Sequence, residues 1–192
     1  MNERNGKTGW VIGVMGIEPV PRQSQSWVNQ QLWDELLGNK LEKRINYETH
    51  QMQINTIPCV TGLAAAKWAA MRKVRFELYM PWSNIKLPVA LKRTDPFVHD
   101  DDAPRVVDDA ADVHVLSSSK EFSAEAMSNA RKHLMDSAHV LIVTHDGRNQ
   151  KGNALTLRAR NRGTPLILLD WRKKKVFVIN KEALPDEQPE PF

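Results

Sequence analysis

The stretch Ala138-His139-Val140-Leu141-Ile142-Val143-Thr144-His145-Asp146-Gly147 decides the fold. Residues 138–143 are apolar on both faces of an extended segment, the pattern of a strand inside a parallel sheet, and His139 within them reads as a satisfied packing residue. A polar, turn-forming segment follows over 144–151, and Gly152 then opens a helix that runs to about Arg162 and stops at Gly163. Residues 165–169 form a second buried strand, so the region is one βαβ unit.

The same alternation recurs toward the N-terminus. Residues 10–14 predict the first strand and residues 16–22 a turn holding Pro19 and Pro21. Ser24 or Ser26 would cap a helix to about Leu37, because Val28, Leu32 and Leu36 repeat on one face and Gly38-Asn39 supply a stop. Residues 53–60 predict a strand in which Pro58, with no N–H to donate, belongs at an edge or at the strand end. Thr61-Gly62 open an alanine-rich helix to about Lys73, and residues 75–80 make a strand ending at Pro81-Trp82. Residues 83–112 contain Pro88, Pro96, Pro104 and Asp100-Asp101-Asp102 and predict an irregular excursion, a lid or a surface loop. Order resumes with a strand at 113–116 and a helix from about Ser123 to Met135; beyond 169, a turn over 170–175 leads to a last strand at 176–179. The expected fold is α/β: a doubly wound, mainly parallel Rossmann-like sheet with helices on both faces. It forms one domain over 10–182, between polar tails at 1–9 and 183–192.

Composition narrows the class. A chain of 192 residues, 41% hydrophobic, can bury one sizeable core without a staple. The single cysteine, Cys59, excludes an internal disulfide and any multi-cysteine metal site, and six histidines without ligand spacing argue against a metal. No apolar run reaches the ~18 residues of a membrane span and no signal-peptide core follows the start, so the expectation is a cytoplasmic protein with no membrane partner. The formal charge is only +4, but bases dominate 148–175 while acids dominate 95–112.

In an open parallel sheet, ligands bind beyond the carboxyl ends of the strands. That rule singles out the loops around Gly16 and Arg22, Thr61 and Gly62, Trp82, and His145, Asp146 and Gly147 with Lys151, Gly152, Asn153 and Ala154. A helix that starts with glycine offers unpaired N–H groups and room for a phosphate against the backbone, and Lys151 would add a charge. From Gly147 to Leu169 there are five bases and no carboxylate, a surface that attracts anions. Simpler readings stand beside this one. Gly152 can merely make the turn, and Arg158, Arg160 and Arg162 can offset the helix dipole. Trp82 can be a core lid rather than a base-stacking ring, and His145 has equal claims to pocket and loop.

The order of these motifs resembles the YpsA-like branch of the SLOG superfamily. The residues that carry the resemblance are Asn129-Ala130-Arg131, residues 135–143, Asp146-Gly147, Gly152-Asn153 and Gly163-Thr164-Pro165, with looser likeness through residues 13–21, Thr61-Gly62 and Pro81-Trp82. Two departures stand out: the family's Gly-Gly-Thr is Lys151-Gly152-Asn153 here, and the Gly-x-Asp expected after Thr61-Gly62 is absent. The resemblance implies a Rossmann-like nucleotide pocket, places Arg131 near it and implies dimers or larger assemblies.

The expected function is non-catalytic binding of a nucleotide or nucleotide-derived, ADP-ribose-like signal, with phosphates at 151–154 and no other cofactor. Lonely Guy phosphoribohydrolases and nucleoside deoxyribosyltransferases look similar through this region, which makes N-glycosidic bond cleavage or transfer the enzymatic alternative. Their carboxylate on the phosphate-loop helix is Thr156 here, and Asp146 or Asp136 would have to replace it. A single-stranded DNA binder of the DprA type is the third reading. It would use Arg72, Lys73 and Arg75 with the bases of 158–162 and 172–175 as a track, against which the low net charge and the acidic 95–112 segment argue.

Overall fold

Among the described residues, seven strands lie in one sheet of order β4-β3-β2-β1-β5-β6-β7, parallel except for the last. They are β1 (Trp10–Gly16), β2 (Met52–Thr56), β3 (Arg75–Met80), β4 (Asp112–Val115), β5 (Val140–His145), β6 (Leu166–Asp170) and β7 (Lys175–Ile179). The helices are α1 (Arg22–Gln30), α2 (Val60–Arg72), α3 (Leu87–Thr94), α4 (Pro104–Asp109), α5 (Ala124–Ser137) and α6 (Gln150–Arg162). The computed structural model describes residues 9–33, 41, 52–83, 86–94, 104–118, 123–148 and 150–184. The two tails beyond 9 and 184, the stop at Gly38-Asn39 and the acidic run at 100–102 lie outside the described residues.

Every side chain of β5 and of β6 is buried, as their two-faced apolar pattern requires, and they pair in register from Leu141↔Leu166 to His145↔Asp170. The sequence places the end of β5 at Val143, whereas the strand continues through Thr144 and His145. Pairing with β1 (Gly16↔Thr144) and β6 satisfies the backbone there despite the polar side chains. β2 ends at Thr56 in the middle of the sheet, which puts Pro58 beyond the strand end. Within 83–112, expected to be an irregular excursion, the described residues include the helices α3 and α4. Pro88 is the second residue of α3 and Pro104 the first of α4, positions whose missing N–H costs the helix nothing. Leu87, Leu91 and Val106 are buried and join the core.

The chain steps from β1 outward to β4, returns through α5 to β5 on the other side of β1, and continues outward to β6. With right-handed crossovers, α1 and α2 cover one face and α5 and α6 the other, and the direction reverses between β1 and β5. α2 packs against β1, β2 and β3, and α5 packs against β1 and β3. Among the described residues no helix is long and apolar enough to cross a membrane.

Candidate functional site

The site lies where β1 and β5 part. Ile17 N–H donates to the Thr144 carbonyl at 3.0 Å, after which the β1 chain turns toward α1 and the β5 chain toward α6. Beside this point a cleft of about 290 Å³ runs between α5 and the start of α6. Its walls are apolar at Ile17, Met135, Ala154 and Leu155 and basic at Arg131, Lys132 and Arg158.

Arg131 projects from α5 to the end of β1, where its Nη2 donates to the carbonyls of Gly16 (3.2 Å) and Ile17 (3.1 Å). Its Nε is buried and has no hydrogen-bond partner among the described residues. Burial holds the guanidinium below its ordinary pKa, opposed by the nearby sulfur of Cys59 and the carboxylate of Glu18. A guanidinium stays protonated even so, which makes this a positive charge kept largely out of water.

Beneath it the floor is tightly packed. Cys59 caps α2, its sulfur accepting the N–H groups of Gly62 and of Gly16, each at 3.2 Å. Thr61 and Thr144, both buried, share a hydroxyl hydrogen bond of 2.6 Å. A Cβ on Gly16 would stand 3.1 Å from Thr144 Oγ1, and one on Gly62 only 2.2 Å from the Ile57 carbonyl oxygen. Thr61 and Gly62 therefore pack against the ends of β1, β2 and β5, and neither is among the residues lining the cleft.

The loop after β5 satisfies its own amides. Asp146 N–H donates to Glu18 Oε2 at 3.2 Å, Gly147 N–H to His145 Nδ1 at 2.9 Å, and Arg148 N–H to Asp146 Oδ1 at 2.9 Å. Gly147 has φ +73°, and a Cβ there would fall 2.6 Å from Asp170 Oδ2, so only glycine fits this turn. His145 is buried, and burial holds its imidazole below the ordinary histidine pKa in spite of the carboxylates of Asp170 and Asp146. The neutral ring keeps Nδ1 free to accept the Gly147 N–H, so His145 anchors the turn.

Gly152 is likewise buried, with its Cα against that imidazole; a Cβ would sit 3.2 Å from Nδ1. Of the residues expected to cradle an anion, Gly152 thus packs α6 onto the strand end, Asn153 is exposed, and Ala154 lines the cleft. The Lys151 side chain lies outside the described residues.

Gly16, Arg131, Asp146 and Ala154 are brought together at the switch point. Arg22 opens α1, is exposed, and is not among the residues lining the cleft. Trp82 is 1% exposed at the end of β3, two strands from β1, so neither face of its indole is open to a base. Arg158 and Arg162 both donate to Asp136 Oδ1, the former at 3.0 Å, and so tie α6 to α5. Among the described residues no group of three histidine, cysteine or acidic side chains could hold a metal ion.

The sequence reading passes over Glu18. It is the only charged residue between Gly9 and Pro21, in the loop that leaves the first strand, and that isolation was the available signal. Cys59 reads in sequence as a small buried side chain, and its capping role emerges only from the fold. No family model matches the chain, and no curated protein matches it.

Proposed function

We propose that this protein binds a small phosphate-bearing ligand of the nucleotide class, a nucleotide or an ADP-ribose-like derivative, at the β1/β5 switch point and performs no chemistry on it. The observation that carries the reading is Arg131, a guanidinium with an unpartnered buried N–H in the wall of a cleft where open parallel sheets take their ligands. The cleft has apolar walls for a base or sugar, with cations for a phosphate. The anionic group is assigned to the Arg131 side of the cleft, because Gly152 of the expected 151–154 cradle is buried against the His145 ring. This is also the position that the SLOG resemblance implies for Arg131.

A binder is favoured over a glycosidase because α6 carries no acid, Asp136 is committed to Arg158 and Arg162, and an Asp146 oxygen is turned back on its own loop. A small ligand is favoured over single-stranded DNA because bases of the supposed track are already paired: Arg75 with Glu77, and Arg158 and Arg162 with Asp136. The test is a thermal-shift and calorimetric screen of nucleotides, ADP-ribose and cyclic nucleotides with wild type, Arg131→Met and Gly152→Asp. Wild type is expected to be stabilised by at least one of them, with binding weakened at least about tenfold in Arg131→Met, the loss of one charge-assisted contact. Equal responses in wild type and Arg131→Met, or no response in wild type, would defeat the reading.

A further inference from the structure

Where β1 and β5 part, the chain itself places an anion, the carboxylate of Glu18. Glu18 follows Ile17, a wall residue of the cleft, and precedes Pro19, whose fixed φ restricts how the loop leaves the strand. Its carboxylate accepts the Asp146 N–H, so it bridges the two diverging chains at the point where the sheet reverses direction. Arg131 from α5 fixes its Nη2 on the carbonyls of Gly16 and Ile17, the two residues immediately before Glu18. The field of Glu18 reaches that guanidinium. A backbone N–H just past the end of β5 thus holds one carboxylate in a partly buried setting, on a loop whose preceding carbonyls are gripped by a guanidinium from α5, and this N–H and this positive field would also receive a phosphate oxygen.

We infer that Glu18 is a built-in counter-ion that an incoming anionic ligand displaces, so that this residue sets the affinity of the site and restricts it to ligands of high charge density. The inference rests on the binding reading above. A phosphate entering beside a retained carboxylate would meet like-charge repulsion across a few ångströms in a half-buried site. A phosphate that expels the carboxylate gains the Asp146 N–H and the whole field of Arg131. Weakly charged diesters or neutral sugars cannot make that exchange, whereas pyrophosphate and phosphate monoesters can.

The probe is inorganic pyrophosphate, titrated by calorimetry into wild type, Glu18→Gln, Glu18→Ala and Arg131→Met, with the Asp146 amide followed by ¹⁵N–¹H correlation spectra. Gln keeps an oxygen for the Asp146 N–H and removes only the charge, so the fold is retained. Glu18→Gln is expected to bind at least about tenfold more tightly than wild type, and Glu18→Ala in the same direction. The Asp146 resonance of wild type is expected to move as the carboxylate is replaced. Binding by the Glu18 variants but not by wild type would mean that the anion does not expel the native carboxylate, and would overturn the inference. Wild-type binding that is lost in Arg131→Met yet equal or weaker in Glu18→Gln would overturn the counter-ion role while leaving the binding site standing. Absence of binding in every variant would overturn both.

Discussion

At the residue scale, two side-chain-free positions and one imidazole hold the site's shape. Gly62 has no room for a methyl group: its Cβ would lie 2.1 Å from Thr56 Oγ1 and 2.2 Å from the Ile57 carbonyl oxygen, and the backbone atom cannot rotate away. Gly62→Ala should therefore cost at least about 2 kcal/mol in chemical denaturation, as overpacking against fixed backbone does. Gly152 differs in kind, because the atom facing it is the edge of the His145 ring at 3.2 Å. His145 gives stability a pH dependence whose sign is fixed. Burial lowers its folded-state pKa below the ordinary 6.5, so the unfolded chain takes up the proton first. Its contribution is complete above that ordinary value and is lost as the pH falls from there toward the folded-state pKa. Denaturation midpoints measured from pH 8 to pH 5 should fall in the lower half of that range. His145→Asn, whose oxygen can still accept the Gly147 N–H, should flatten the slope.

At the scale of elements, the ends of the helices show how local chemistry and packing divide the work. α2 begins on a cysteine that serves as its N-cap and ends at Lys73, a non-glycine residue at φ +57°. Lys73 and Val74 donate back to the Ala70 and Ala69 carbonyls, a C-cap that prefers glycine. Lys73 is exposed, so Lys73→Gly removes strain without removing a buried contact and should raise stability by up to about 1 kcal/mol in urea unfolding. At the outer edge of the sheet, β4 is fastened by Glu77, which accepts from Arg75 at 2.7 Å, from the His114 ring at 2.9 Å and from the Tyr79 hydroxyl at 3.2 Å. Burial alone would raise the Glu77 pKa, but the hydrogen bonds from Arg75 and His114 win and hold it below the ordinary 4.5. Burial and the Glu77 charge together push Tyr79 up to about 12. A second, separate loss of stability is thus expected as the pH falls from 4.5 toward the lower pKa of the folded state, because the unfolded chain takes up the Glu77 proton first, and Glu77→Gln should remove it. The sequence foretold the seven strands and the helices α1, α2, α5 and α6, missed α3 and α4, and otherwise erred at ends. Strand ends depend on which neighbour supplies hydrogen bonds, as at Thr144 and His145, and a proline at the start of a helix looks like a loop until the helix behind it is packed.

At the scale of the whole molecule, the reversal of strand order between β1 and β5 brings residues that are distant in sequence to one crevice, with Arg131 reaching back 115 positions to Gly16. A ligand held there would tie together α5, β1 and β5, whose packing is spread through the core. At a concentration one hundred times its dissociation constant it would stabilise the fold by about 2.7 kcal/mol. For a domain of this size that corresponds to a rise of roughly 5–10 °C in Tm, large enough for the nucleotide screen to detect. The sequence by itself determined the class of fold, because two-faced apolar runs separated by helices bury their surface economically only as a covered parallel sheet. It also pointed to one end of that sheet as the place for a ligand, since ligand sites follow the carboxyl ends of strands. Only the tertiary structure decided which groups share the crevice. Side-chain partners are set by crossovers and strand order, so Trp82 was carried into the core, Gly152 was closed onto His145, and Glu18, inconspicuous in its loop, came to stand beside Arg131 and the Asp146 amide.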